Sequence, residues 1–385
     1  MSRFPAPVLQ SVLDKPWRAV ELPQPLPLTA LPTPALVLNR PAFEHNLQTM
    51  AAHLKNHGKA QRPHAKTHKC PLIAQQQMAA GAVGVCAAKL GEVAALVSAG
   101  VCDVLITSPL TSAAKIDALN TLLEHSEELK LVVDSAVGMD VLEQGIANDK
   151  RLGVVLDFDV ELGRTGMRDD ALAQKLHDRI DADPRFHFAG IQHYAGHLMH
   201  LQTFEERKTR SLESWQTVLD RVSQFAPKII TGGGTGTFDI DVLEDQITDL
   251  QVGSYIFMDR EYLDIDAQNK ATGHPFESSL SVACTFVSAP KQGMATVDGG
   301  YKAFASDSVT PMPVTLDGCQ FFFGGDEHGF VKLPKGFQEP VLGEVHQFMV
   351  PHCDPTVNLH DYYWVQEADG LIHELWPITA RGGSW

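Results

Sequence analysis

From about residue 34 to 260 the chain alternates short runs of β-forming residues with longer amphipathic stretches. That alternation restricts the fold most. Strand, helix and strand in succession make βα units, and such units build a parallel sheet. The strand candidates are 35–39 (ALVLN), 62–66 (RPHAK), 83–87, 103–107, 129–134, 153–159, 188–194, 228–232 and 252–257 (VGSYIF). Helical stretches fill most gaps, for instance 41–57, 89–99, 111–126, 169–181 and 203–224. A closed (β/α)8 barrel takes eight strands, one fewer than this series. An open doubly wound sheet could take all of them, but no GxGxxG turn follows the first. The expectation is a TIM-like barrel, with one terminal strand belonging elsewhere.

The flanks read differently. Residues 1–33 hold seven prolines and look like an extended arm laid over the fold. After about residue 275 helical periodicity fades into short alternating runs broken by Gly and Asp, which reads as an antiparallel β-domain. A length of 385 residues, at about 150 per domain, also suggests a barrel plus a smaller unit. The net charge of −16 disfavours a surface that follows nucleic acid phosphates or anionic lipids. No apolar run approaches the roughly 20 residues of a membrane span. The N-terminus, broken by Asp14, Lys15, Arg18 and prolines, is no signal peptide. The six cysteines form no CxxC pair and read as free thiols in a reducing cytoplasm.

Chemistry gathers at expected strand ends, where a barrel keeps its active site. Lys66 closes RPHAK. A buried lysine there loses proton affinity and becomes a nucleophile or imine partner. It also reads as one of a basic surface patch with Arg62, His64, His68 and Lys69. KIITGGGTGTF and QVGSYIF offer two turns with bare backbone, around Gly232–Thr237 and at Gly253 and Ser254. Their N–H groups can converge on an anion, although a glycine run can equally be a tight βα turn. These turns would follow the last two barrel strands, next to the first strand and its lysine. Lysine beside a phosphate cup suggests pyridoxal phosphate.

Further candidates are less specific. If 352–354 is extended, His352 and Asp354 point to one side and can share a divalent cation, with water or substrate completing its shell. The alternative is a polar loop with a turn-capping Asp before Pro355. GIQHYAGHLMH supplies Tyr194 for a cofactor ring and His193, His197 and His200 as proton acceptors or structural groups. Arg164 suits a phenolate or carboxylate, or a nearby acidic side chain.

Together, RPHAKTHK, ITGGGTGTF, GSYIFMD, DEHG and PHCDPTVNLHD give the chain a resemblance. It resembles the D-threonine aldolase and D-serine dehydratase group of alanine-racemase-like (fold type III) pyridoxal phosphate enzymes, over most of its length. The resemblance implies that Lys66 binds the cofactor covalently. It implies that Thr231, Gly233, Gly234, Thr235, Gly253, Ser254 and Tyr255 surround the phosphate, that Arg164 contacts the ring oxygen and that Tyr194 flanks the ring. His200, or failing it His197, matches the catalytic base, and His352 and Asp354 match the metal ligands. A carboxylate at 354, where the dehydratases carry a cysteine, favours the aldolases and Mn²⁺, with Mg²⁺, Co²⁺ or Zn²⁺ as alternatives. The ALVLN strand then joins the β-domain. The implied layout is an arm and strand over 1–40, a cofactor-binding barrel over 41–270 and a C-terminal β-domain with the metal pair over 271–385. The implied protein is a cytoplasmic homodimer acting on D-3-hydroxy amino acids by retro-aldol cleavage. The alternatives are a D-serine or D-3-hydroxyaspartate dehydratase and a non-catalytic carrier of the cofactor. A metal-only hydrolase would leave Lys66 and the glycine turns unexplained.

Overall fold

The computed structural model describes residues 6–269 and 271–385. The first five residues of the proline-rich arm, and Lys270 at the expected end of the barrel segment, lie outside the described residues. Two strands come first, β1 (Val20–Leu26) and β2 (Ala35–Asn39). The barrel strands are β3 (Ala60–Gln61), β4 (Val85–Ala87), β5 (Val104–Ile106), β6 (Lys130–Val133), β7 (Leu152–Phe158), β8 (Phe186–His193), β9 (Ile229–Gly232) and β10 (Asp249–Leu250). They pair in parallel in the order β3-β10-β9-β8-β7-β6-β5-β4. A parallel bridge between His64 and Cys86 closes the ring. There the Cys86 N–H donates to the Pro63 carbonyl and the Ala65 N–H to the Cys86 carbonyl, each at 2.8 Å.

Parallel strands covered on both faces become continuous apolar runs. LGVVLDF of β7 is buried at every position. The covering helices show the complementary pattern. Helix Phe204–Val222 buries Phe204, Arg207, Ser211, Trp215, Val218, Leu219 and Val222, a stripe at helical spacing. Each fully buried large apolar side chain on such a stripe contributes roughly 1.5–3 kcal/mol.

The second sheet is built mostly from the C-terminal third. It holds β11 (Leu280–Lys291), β12 (Met294–Val297), β13 (Met312–Pro313), β14 (Gln320–Phe323), β15 (Gly329–Lys332), β16 (Val345–Met349), β17 (Tyr362–Gln366) and β18 (Ile372–Pro377). Its order is β1-β18-β17-β2-β11-β12-β15-β14, with β16 beside β11 and β13. Only β2 and β17 run parallel among these described pairs. The surplus strand ALVLN is thus β2, antiparallel to β11. One face is solvated, as antiparallel sheets allow: β15 buries Gly329 and Val331 and exposes Phe330 and Lys332.

Several expectations shift. The strand expected over 252–257 lies earlier, at Asp249–Leu250, and Ser254–Ile256 is a 3₁₀ turn. Gly253 leaves the extended region (φ −123°, ψ −70°), and the Ser254 carbonyl then takes the Phe257 and Met258 N–H groups at 3.0 and 2.7 Å. RPHAK pairs only briefly: the Arg62 and His64 N–H groups donate to the Leu250 and Val252 carbonyls, each at 3.0 Å, and His64 bridges Cys86, while Pro63 has no N–H to add. The arm is not wholly extended, because Ala6–Leu13 is a helix resting on helix Leu90–Ser98. Helices Pro71–Ala79 and Ala136–Gly145 fill two further gaps between strands. Among the described residues no helix is long and apolar enough to cross a membrane.

Candidate active site

The C-terminal ends of the barrel strands surround a cavity of about 260 Å³. Lys66, Arg164, Tyr194, Gly234, Thr235, Gly253 and Ser254 line it, with His64, Thr107, Gln192, Gln251 and Tyr262. His64 fixes the lysine turn. Its Nε2 meets Thr107 Oγ1 at 3.1 Å, and its Nδ1 accepts the Lys66 N–H at 3.3 Å. The neighbouring basic residues turn inward to partners of their own. Arg62 is buried against Asp103 and Asp249, and Lys69 Nζ lies 2.7 Å from Glu92 Oε1. Burial pushes His68 down to about 4. Lys66 therefore belongs to a cavity and not to a surface patch.

An isolated buried lysine would lose proton affinity, which was the expectation for Lys66. Here Asp354 Oδ2 lies 3.0 Å from Lys66 Nζ. That carboxylate holds the ammonium above its usual range against the effect of burial, and Tyr194 adds to it. Burial opposes charge on Asp354 as well, but Lys66 and then His352 hold its carboxyl well below the usual range. The two side chains form a charged pair.

The segment 352–354 is not extended throughout: His352 keeps an extended backbone (φ −139°, ψ 123°), but Asp354 is already helical. Cys353–Val357 is a short helix with His352 as its N-cap residue. No side chain of its own caps it; a remote carboxylate does. Asp259 Oδ2 accepts the Cys353 N–H at 2.7 Å, and Asp259 Oδ1 accepts the Tyr262 N–H of helix Arg260–Leu263 at 3.3 Å. Burial pushes the Asp259 carboxyl up to about 6, although both N–H groups favour its charge. The Arg260 and Glu261 N–H groups donate to the Val350 and Pro351 carbonyls, each at 3.2 Å. The exit of β10 is thereby stitched to the exit of β16. Glu261 Oε2 then stands 3.8 Å from His200 Nε2 and 3.9 Å from His352 Nδ1. Burial lowers His200 below its ordinary value, and His352 lowers it further against the pull of Glu261. Burial opposes protonation of His352 too, but Asp354, Asp307 and other carboxylates raise it.

The glycine turn after β9 is held from behind. Arg207 Nε donates to the Gly236 carbonyl at 2.8 Å, and its Nη groups donate to the Leu201 and Asp266 carbonyls at 2.6 Å. A Cβ at Gly236 would meet the Met199 carbonyl oxygen at 2.1 Å, so the backbones touch there. Gly233 adopts φ +67°.

Not every expected residue faces the cavity. Thr231 is fully buried and accepts from Gln251 Nε2 at 3.3 Å. Gly233 packs against Asp241. The Tyr255 hydroxyl is buried against Gln61 and Gln77, while the Tyr255 N–H donates to Thr235 Oγ1 at 2.9 Å. His193 stacks on Trp215 at 3.9 Å between ring centroids, and burial pushes it down to about 3. His197 lines a separate cavity with Arg168, Arg210 and Arg221. His200 packs on Tyr262, which lines the lysine cavity, with ring centroids 4.5 Å apart.

Sequence reasoning missed Gln192, Gln251, Glu261, Tyr262 and Asp307. Gln192, one residue before His193, and Gln251, opening QVGSYIF, lie within quoted motifs. Both reach the cavity floor, where Gln251 Nε2 donates to Gln192 Oε1 at 3.1 Å and Gln192 Nε2 to Asp157 Oδ1 at 3.0 Å. Asp307 carried no local signal.

The residues suit the groups the resemblance implied. Bare backbone at Gly234 and Gly253, a hydroxyl on each neighbour, a lysine and an arginine form a donor set for a phosphorylated aldehyde. Among the described residues, no three His, Cys, Asp or Glu side chains gather closely enough to cage a metal ion. One imidazole and one carboxylate at the mouth still suit an open divalent site.

A parallel barrel with a lysine at its mouth and a second, antiparallel sheet over the exit of its last strand defines a class: fold type III pyridoxal phosphate enzymes. Residues 38–261 match the alanine racemase N-terminal domain, and residues 279–366 a putative serine dehydratase domain. The chain is 37% identical to D-threonine aldolase of Arthrobacter sp, over 95% of this chain and 98% of that protein. It is 32% identical to 3-hydroxy-D-aspartate aldolase of Paracoccus denitrificans, over 91% of this chain and 92% of that protein. The crystal structure of D-threonine aldolase from Filomicrobium marinum superposes with a TM-score of 0.89 at 33% identity, covering 95% of this chain and all of that one. The chain belongs to the alanine-racemase-like family of pyridoxal-phosphate-dependent enzymes, in the group of D-threonine aldolase.

Proposed function

We propose that the protein cleaves D-3-hydroxy amino acids between Cα and Cβ, releasing glycine and an aldehyde. The observation that carries this reading is the meeting of Lys66 with Asp354, at 3.0 Å, in a cavity at the barrel mouth. Lys66, Arg164, Tyr194, Gly234, Thr235, Gly253 and Ser254 would hold pyridoxal phosphate, which supplies a sink for the electron pair of the breaking bond. His352 and Asp354 would hold a divalent cation, Mn²⁺ by the hardness of the carboxylate, which lowers the pKa of a substrate hydroxyl. His200, kept neutral near pH 7 by burial, accepts the proton of that hydroxyl, and Glu261 beside it stabilises the imidazolium that results. Arg164 packs over the Tyr194 ring with its Cζ 5.1 Å from the centroid, so each side chain orients the other against the cavity. The preference for the D hand rests on the relatives.

The division into 1–40, 41–270 and 271–385 is part of the same proposal. So are a cytoplasmic location, supported by six unpaired cysteines, and a homodimer. Product analysis after incubation with D-threonine, pyridoxal phosphate and Mn²⁺ tests the reading. Glycine with acetaldehyde is expected. A 2-oxo acid with ammonia would make the protein a dehydratase instead.

A further inference from the structure

The two nitrogens of His352 have different surroundings. Nδ1 lies 2.7 Å from Asp307 Oδ2, with Glu261 Oε2 farther off at 3.9 Å. A carboxylate only accepts, so Nδ1 must carry the proton that makes this bond. In a neutral imidazole, the lone pair then sits on Nε2.

The loop that brings Asp307 is pinned on both sides. Before it, the Ala305 N–H donates to Thr356 Oγ1 at 3.0 Å, and the same hydroxyl donates to the His352 carbonyl at 2.7 Å. After it, the Thr310 carbonyl accepts from Arg260 Nη1 at 2.7 Å. Phe304 and Thr356 are fully buried. Asp307 itself is half-exposed, but its backbone is tied to the helix that follows His352 and to the helix that carries Glu261. A chance surface contact would have no such anchoring.

We propose that Asp307 is the positioning residue for the metal: it fixes the His352 tautomer and ring orientation so that Nε2 is the ligand atom. A histidine ligand whose other N–H is held by a carboxylate is more basic and better oriented, and losing such a partner costs about 10–100-fold in metal affinity. The inference rests on the reading of His352 as a metal ligand.

The test is a Mn²⁺ titration of the pyridoxal-phosphate-loaded enzyme, with free Mn²⁺ read by electron paramagnetic resonance. Asp307→Ala should weaken Mn²⁺ binding about 10–100-fold and leave the cofactor's visible absorbance unchanged. Asp307→Glu should restore most of the affinity, which a merely structural loop defect would not allow. His352→Ala should abolish the site. Wild-type affinity in Asp307→Ala, with binding lost in His352→Ala, would overturn the role of Asp307 and spare the metal site. Unchanged binding in His352→Ala would sink the metal assignment and the inference with it.

Discussion

The barrel and the antiparallel sheet deliver their residues to the site by different means. At the barrel, Lys66, Arg164, Tyr194, Gly234 and Gly253 sit just beyond β3, β7, β8, β9 and β10, so each is placed by its own strand. His352 and Asp354 follow β16, but the geometry of their helix depends on Asp259 and Asp307, both remote in sequence. The barrel mouth is a set of separable positions, whereas the His352 helix is a joint between two sheets. A change at the mouth should therefore remove one function. A change at the joint should disturb several.

Lys66→Ala tests the separable side and should have the largest effect. It should abolish the cofactor's visible absorbance and lower kcat/KM by at least about 10³-fold. Retained absorbance would show that another amine holds the cofactor. The two histidines after β8 sharpen the contrast. His200→Ala should lower kcat by about 10²–10³-fold with cofactor still bound. His197→Ala, which alters a different cavity, should stay within about twofold. Equal losses in both variants would remove His200 from its role.

This division also explains what the sequence revealed. ALVLN spans 35–39 as read, because a run of β-formers buried at four successive positions between two sheet neighbours is marked by its local composition. Lys66 and the glycine turns were legible because a barrel places strand ends and active site together. VGSYIF misled because its apolar, β-prone residues are buried in a turn; Tyr255 and Ile256 are fully buried there without being in a strand. PHCDP misled in the opposite direction. Pro355 suggested a break, yet it sits in the first turn of helix Cys353–Val357, where a proline gives up no helical hydrogen bond. The pairing of Asp354 with Lys66, and with it the raised proton affinity of that lysine, is tertiary and had no local trace.

Two carboxylates, one on each side of the joint, should respond to pH with opposite sign. Asp354 has a depressed carboxyl, so its stabilising effect is present above the unfolded pKa of about 4 and is lost only as pH falls. Asp241, behind the glycine turn, behaves otherwise. It is fully buried and accepts from Ser211 Oγ at 2.7 Å and Thr237 Oγ1 at 2.5 Å. Burial nevertheless pushes it up to about 6, with the two hydroxyls opposing. Its folded pKa exceeds its unfolded one, so its contribution is full below about 4 and disappears as pH rises through about 6. Asp241→Asn removes that titration. Urea unfolding of both proteins at pH 5 and pH 7.5 should show the variant gaining about 1 kcal/mol on the wild type across the interval. A difference independent of pH would mean that Asp241 does not titrate there, and that the hydroxyls hold its charge as firmly as Lys66 holds that of Asp354.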